Sequence, residues 1–170
     1  DNGAGISRKA GDPIELKYIL DVRDFPDSPF ADKFIKVFDV IEGDPEVNVV
    51  VETIGVVSAA REFTERALKA GKSVVSSNKE LVATHGRYLL ELAAKNKVVY
   101  LFEASVGGGI PILRPLSECM AANDILEICG IVNGTANYIF TRMVQDDIPF
   151  EEALRGAQAN GYAEKDPTAD

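Results

Sequence analysis

Apolar residues change their period repeatedly along the chain. Residues 14–22 (I-E-L-K-Y-I-L-D-V) partly alternate and predict a strand. Over residues 30–41, Phe34, Val37, Phe38 and Ile41 recur at helical spacing. Residues 47–52 form a β-branched run suited to a strand buried on both faces. Ser58 can cap a following helix whose apolar face is Ala60, Phe63, Ala67 and Ala70, with Gly71 as its stop. A short strand at 74–76, a helix at 80–95 with Leu81, Tyr88, Leu89 and Leu92 inward, and a strand at 98–102 complete this half. Ahead of them, residues 6–11 read as the last turn of a helix, with bases near its end and a glycine stop. Strands separated by helical crossovers require a parallel sheet, so the class is α/β, doubly wound to about residue 103.

Beyond Phe102 the pattern changes. Residues 103–111 (E-A-S-V-G-G-G-I-P) form a glycine-rich bend. An apolar helix carrying Leu113, Leu116 and Met120 follows, and residues 125–132 alternate enough for a strand with one wet face. Helices are expected at 135–145 and 150–159. The bend marks a domain boundary, dividing the chain into 1–103 and 104–170.

Composition narrows the partners. A formal charge of −9 repels phosphate backbones and anionic lipid, so neither nucleic acid nor a membrane is the expected partner. No apolar run approaches the roughly 20 residues that cross a bilayer, and no basic-then-apolar leader opens the chain, which points to the cytoplasm. Cys119 and Cys129 match no zinc or redox spacing and are expected as reduced thiols in a core. The ends, D-N-G-A-G and D-P-T-A-D, lead into no packed element, so the chain is expected to be an internal piece of a longer protein.

Four segments could carry chemistry. Ser76-Ser77-Asn78-Lys79 lies where a strand gives way to a helix, and ligands bind beyond the carboxyl ends of parallel strands. A lysine in a helix's first turn opposes the macrodipole, so Lys79 is either a solvated surface group or a functional one. The bend at 103–111 could turn carbonyls and the Glu103 carboxylate toward a hard cation, cradle a phosphate, or act as a plain hinge. Asn133-Gly134-Thr135-Ala136-Asn137 starts a helix, with Thr135 placed to cap it. The acidic run at 161–170 would suit a cation or an ammonium group, or be a solvated tail. His85 reads as a histidine packed against the core.

Taken in order, S-N-K-E-L at 77–81, E-A-S-V-G-G-G-I-P at 103–111, N-G-T-A-N-Y-I at 133–139 and G-Y-A-E-K-D-P-T-A-D at 161–170 resemble homoserine dehydrogenase over nearly the whole chain. The resemblance implies a partial Rossmann-type sheet followed by the start of an α+β catalytic and dimerisation domain. It implies NAD(P)-dependent interconversion of L-homoserine and L-aspartate 4-semialdehyde, in threonine and methionine biosynthesis. Ser77 and Lys79 match positions at the nicotinamide and substrate end of the cleft, with Lys79 near the reacting carbonyl. Glu103, with the carbonyls of Val106, Gly108 and Ile110, matches a monovalent cation site, usually sodium. Gly161 and Glu164 match the cofactor–substrate junction, Glu164 suiting the substrate ammonium; Gly134 and Thr135 match the turn facing the substrate. Thr53 and Gly55 resemble cofactor-ribose contacts, and Arg23 lies where the adenosine ribose or its 2′-phosphate would sit. With no acid read at that place, NADP is favoured over NAD. A homodimer is the implied assembly.

The sequence departs from the family at Val56, where a second glycine is common, and at Ala136, where threonine is. It contains no G-x-G-x-x-G, and the family's later aspartate and general acid/base lysine would fall past Asp170. The chain alone is therefore expected to be inactive. The alternatives are a non-catalytic cofactor-domain or oligomerisation fragment, and a related amino-acid or semialdehyde dehydrogenase.

Overall fold

The computed structural model describes residues 2–120 and 122–163, which fall into two compact units: 2–75 with 85–100, and 76–84 with 101–120 and 122–163. In chain order the elements are α1 (Gly3–Ala10), β1 (Ile19–Leu20), β2 (Phe34–Ile35), α2 (Asp39–Gly43), β3 (Val49–Glu52), α3 (Val57–Lys69), β4 (Ser73–Ser76), α4 (Lys79–Lys95), β5 (Tyr100–Leu101), α5 (Leu113–Met120), α6 (Gly134–Asp146) and α7 (Phe150–Ala159). β1 and β2 form a parallel pair, with Ile19 opposite Phe34, and β3, β4 and β5 form a second parallel sheet in that order. Each neighbouring pair in the second sheet is joined by a helix, as parallel pairing requires.

The opening helix ends as its composition predicts: Gly11 is left-handed at φ 81°, and its N–H returns to the Ser7 carbonyl. The strand expected over 14–22 shortens to Ile19–Leu20. The helix expected over 30–41 is replaced by a 3-10 turn at Ala31–Lys33, the strand β2 and the short α2. Its apolar residues serve two elements. Phe34 pairs with Ile19 and stacks on Phe25 at 5.0 Å, while Phe38 and Ile41 are buried and Phe38 stacks on Phe63 at 4.8 Å.

β3 is not buried on both faces. Val49 and Val51 are exposed whereas Glu52 is buried, with α3 packed against the strand. The loop entering β3 is pinned by buried Lys72, whose Nζ donates to the carbonyls of Asp44 (2.6 Å) and Val47 (3.0 Å). Ser58 does not cap α3. The N-cap is Val56, without a side-chain bond, and Ser58 lies inside the helix. Gly71 does stop α3, at φ 76°. On α4, Leu81, Leu89 and Ala93 are buried, but Tyr88 is exposed, its hydroxyl donating to Glu65 and its ring beneath Arg61.

In the second unit α6 and α7 pack as a helical hairpin around Ile139, Ala153, Ala157 and Ala163. The small alanines let the helices approach closely. Residues 125–132 are not a strand. They are irregular and exposed, with Leu126 97% accessible, because no neighbouring strand among the described residues completes a ladder. Cys119 and Cys129 are free thiols as expected, but both are exposed and not in a core.

Candidate active-site pocket

At the end of β4 the backbone N–H of Asn78 donates to Ser76 Oγ (3.1 Å), and Asn78 Oδ1 accepts from Leu81 N–H (2.9 Å). Asn78 thus caps α4, placing Lys79 as its first residue, exposed and against the positive end of the helix dipole. Ser77 is exposed just before it.

The bend after β5 is closed by Glu103. Its carboxylate accepts from the backbone N–H groups of Ile112, Leu113 (2.9 Å) and Arg114 (2.7 Å), which satisfies amides at the start of α5. These bonds hold the Glu103 carboxyl below the usual carboxylate range, the Ile112 amide being the largest cause. Within the bend Gly107 and Gly108 are left-handed, at φ 70° and 60°. A Cβ on Gly107 would fall 3.3 Å from the Ile110 carbonyl oxygen, so a side chain there would press on that oxygen from a left-handed backbone. Val106 is half-buried and Ile110 exposed.

α6 opens differently from the reading of its sequence. Asn133, and not Thr135, is the cap, its Oδ1 accepting from Ala136 N–H (2.7 Å). Buried Thr135 instead gives its hydroxyl to the Tyr162 carbonyl (2.6 Å). This ties the start of α6 to the turn after α7, where Gly161 is left-handed at φ 75°. The Tyr138 and Tyr162 rings lie 4.9 Å apart, and Asn160 Nδ2 donates to the Tyr138 hydroxyl at 3.1 Å.

These pieces enclose one open pocket of about 620 Å³ in the second unit. Lys79, Gly108, Gly134 and Thr135 line it, as do residues that sequence reasoning did not select, notably Tyr138 and Tyr162. The two tyrosines lay inside quoted motifs, but only the α6–α7 hairpin turns them to one side. Val106 and Ile110 are absent from the lining, and Glu164 lies outside the described residues.

The remaining candidates belong to the first unit. Thr53 and Gly55 are exposed on the turn after β3, and Gly55 has open space where a Cβ would point. Arg23 is held by Asp21, just past β1. That carboxylate accepts from the Arg23 backbone N–H (2.9 Å), Nε (3.1 Å) and Nη2 (2.9 Å), and Arg23 lowers the Asp21 pKa to about 2. An acid therefore does stand beside the arginine, two residues earlier than the place where the sequence was read as lacking one. A hollow of about 680 Å³ along α3 includes Arg61, Arg66, Lys69 and half-buried His85, and its three basic side chains are ion-paired with acids. Among the described residues no group of three or more His, Cys, Asp or Glu side chains could hold a metal.

Residues 6–103 match the family profile described as homoserine dehydrogenase, NAD binding domain, and residues 111–170 match that described as homoserine dehydrogenase. The chain belongs to the homoserine dehydrogenase family. The homoserine dehydrogenase of Bacillus subtilis (strain 168) is 42% identical over all of this chain and 40% of that protein. The solved homoserine dehydrogenase of Thiobacillus denitrificans is 38% identical, with a TM-score of 0.88 over 99% of this chain and 40% of that one. A hyperthermophilic archaeal homoserine dehydrogenase, solved in complex with NADPH, shares the fold at a TM-score of 0.73 and 24% identity. The chain spans about 40% of the length of the Bacillus subtilis and Thiobacillus denitrificans proteins. Among the described residues no helix is long and apolar enough to cross a membrane.

Proposed function

We propose that this chain supplies the cofactor-binding and substrate-proximal part of an enzyme that interconverts L-homoserine and L-aspartate 4-semialdehyde with NADP(H) or NAD(H). The observation that carries the reading is the placement of Lys79 with Gly134 and Thr135 around one pocket, in a chain of this family. Residues 1–103 act as a partial dinucleotide-binding domain, and 104–170 begin the substrate and dimerisation domain.

When bound, the nicotinamide supplies the hydride acceptor for the substrate's C4 alcohol. Lys79 is the catalytic residue of this part: its ammonium would orient the substrate's alcohol or aldehyde oxygen and steady the negative charge there as the alcohol proton passes to water or to a basic group of the full-length enzyme. Gly134 and Thr135 contact the substrate through the backbone at the start of α6, since the Thr135 hydroxyl is already given to Tyr162. Glu164 takes the substrate ammonium, and with Gly161 and Ser77 it borders the cofactor. Thr53 and Gly55 meet the cofactor ribose. Arg23 sits at the adenosine ribose or its 2′-phosphate, and NADP(H) is used if that guanidinium is available beside Asp21.

A monovalent cation such as sodium suits the bend, whose donors are oxygens alone. The curl at Gly107 brings the Ile110 carbonyl inward, and three amides leave the Glu103 carboxylate one of its roughly four lone-pair directions. Val106, Gly108, Ile110 and Glu103 would hold the ion, which would stiffen the bend. The enzyme works as a cytoplasmic homodimer in threonine and methionine biosynthesis.

The test is Lys79→Ala in the full-length enzyme, assayed for homoserine-dependent reduction of NADP. Turnover is expected to fall by about 10²–10⁴-fold. Unchanged turnover removes Lys79 from the chemistry and leaves the pocket without its assigned role.

A further inference from the structure

Glu52 is a buried carboxylate to which the reading above gives no task. It closes β3 in the sequence V-V-V-E, points to the covered face of the sheet, and is 4% exposed. Burial of a carboxylate costs several kcal/mol unless hydrogen bonds replace water, so an apolar residue would fill this position with less penalty. One contact the carboxylate makes there is local. It accepts the Ile54 backbone N–H at 2.5 Å, folding back over the two residues that follow the strand. The turn it holds presents Thr53 and Gly55 to the outside, at the carboxyl end of a parallel strand, where ligands of open sheets bind. Gly55 lies outside the left-handed region and has nothing within 4 Å of a Cβ position, so neither strain nor packing fixes the turn at that residue.

We infer that Glu52 is a positioning residue for the dinucleotide: through the Ile54 amide it fixes the Thr53–Gly55 turn in the shape that meets the cofactor ribose. The inference deepens the cofactor reading and rests on it. Glu52 touches neither cofactor nor substrate. Its loss therefore weakens cofactor binding while the chemical step and homoserine binding remain.

The test uses the full-length enzyme with Glu52→Ala and Glu52→Gln, the latter keeping an oxygen to accept from Ile54. Glu52→Ala is expected to raise KM for the nicotinamide cofactor by about tenfold, the scale of losing a hydrogen bond to a charged group. Its kcat and its KM for homoserine should stay within about twofold, and Glu52→Gln should stay close to the parent on this scale. An unchanged cofactor KM in Glu52→Ala overturns the inference, as does a parallel rise in both KM values, which marks general loosening. If Glu52→Ala does not fold, Glu52→Asp replaces it, its carboxylate drawn back from Ile54 by one methylene. A higher cofactor KM in Glu52→Asp than in Glu52→Gln supports the inference, and equal values overturn it. Gly55→Val separates the two layers, since it adds bulk to the outer side of the turn. If it leaves the cofactor KM unchanged, the cofactor reading of this turn fails and the inference fails with it. If it raises that KM while Glu52→Ala does not, the positioning role alone is lost.

Discussion

At the end of β3, in the first unit, Glu52 returns its carboxylate to an amide two residues away; after β5, in the second unit, Glu103 reaches amides nine, ten and eleven residues on. Both side chains replace water at backbone donors, yet they build different objects. The Glu52 turn is local, and its glycine is in ordinary backbone with open space around it. The Glu103 bend is a closed loop whose Gly107 and Gly108 are left-handed. A short clamp fixes a shape the chain already favours, whereas the longer clasp holds a conformation most residues resist. The first unit thus presents its candidate residues on a simple strand-end turn. The second assembles a pocket from segments distant in sequence, and there the bonds from Glu103 and Thr135 fix the segments' places.

The largest effect should come from the chemistry assigned to the second region: Lys79→Ala lowers turnover by about 10²–10⁴-fold, whereas Gly55→Val acts on cofactor KM. A turnover defect of equal size from both would erase the division of labour between the two regions. Next comes the contrast between their glycines. Gly107→Ala should cost about 1–3 kcal/mol in denaturant unfolding, since alanine must adopt φ 70° against the Ile110 carbonyl, while Gly55→Ala should stay within about 0.5 kcal/mol. Equal costs would mean that the bend relaxes and Glu103 holds no strained loop.

A smaller effect concerns selectivity. Asp21→Asn weakens the hold on Arg23 and should move the ratio of NADP to NAD efficiency severalfold toward NADP, measured as relative kcat/KM. No shift would show that Arg23 does not meet the cofactor's adenosine end.

The smallest is confined to acid. Glu103 has its folded pKa below the unfolded value of 4.5, so its contribution to stability is complete above that value and is lost as pH falls through the folded pKa. Melting temperatures of Glu103→Gln and the parent should therefore converge as the pH drops below about 4.5, with the parent higher near neutrality. A constant gap across that range would mean that the amide bonds do not depend on charge.

Much of the helical frame was legible. α1 with its glycine stop, α3, α4, α6 and α7 follow from apolar period and end signals, because those cues act within one or two turns of chain. Phe34 and Ile35 were misread because a helical spacing of apolar residues is also met when one residue pairs in a strand and another packs in a short helix. Residues 125–132 have the alternation of a strand, but alternation supplies no hydrogen-bonding partner. At the candidate site, Lys79 and Gly134 were found by their motifs. Tyr138 and Tyr162 were not, since the α6–α7 packing that brings them to the pocket is not specified by either motif alone.

By itself the sequence determined the α/β class, the limits of most helices and the four motifs that carry the family likeness. These rest on local propensity and on residue identity, which need no partner. Only the tertiary structure decided that Asn133 rather than Thr135 caps α6, that Thr135 is given to Tyr162, that Asp21 holds Arg23, and that Glu103 serves the amides of α5. A side chain with several possible partners takes those that folding brings within hydrogen-bonding reach, and that choice is made in three dimensions.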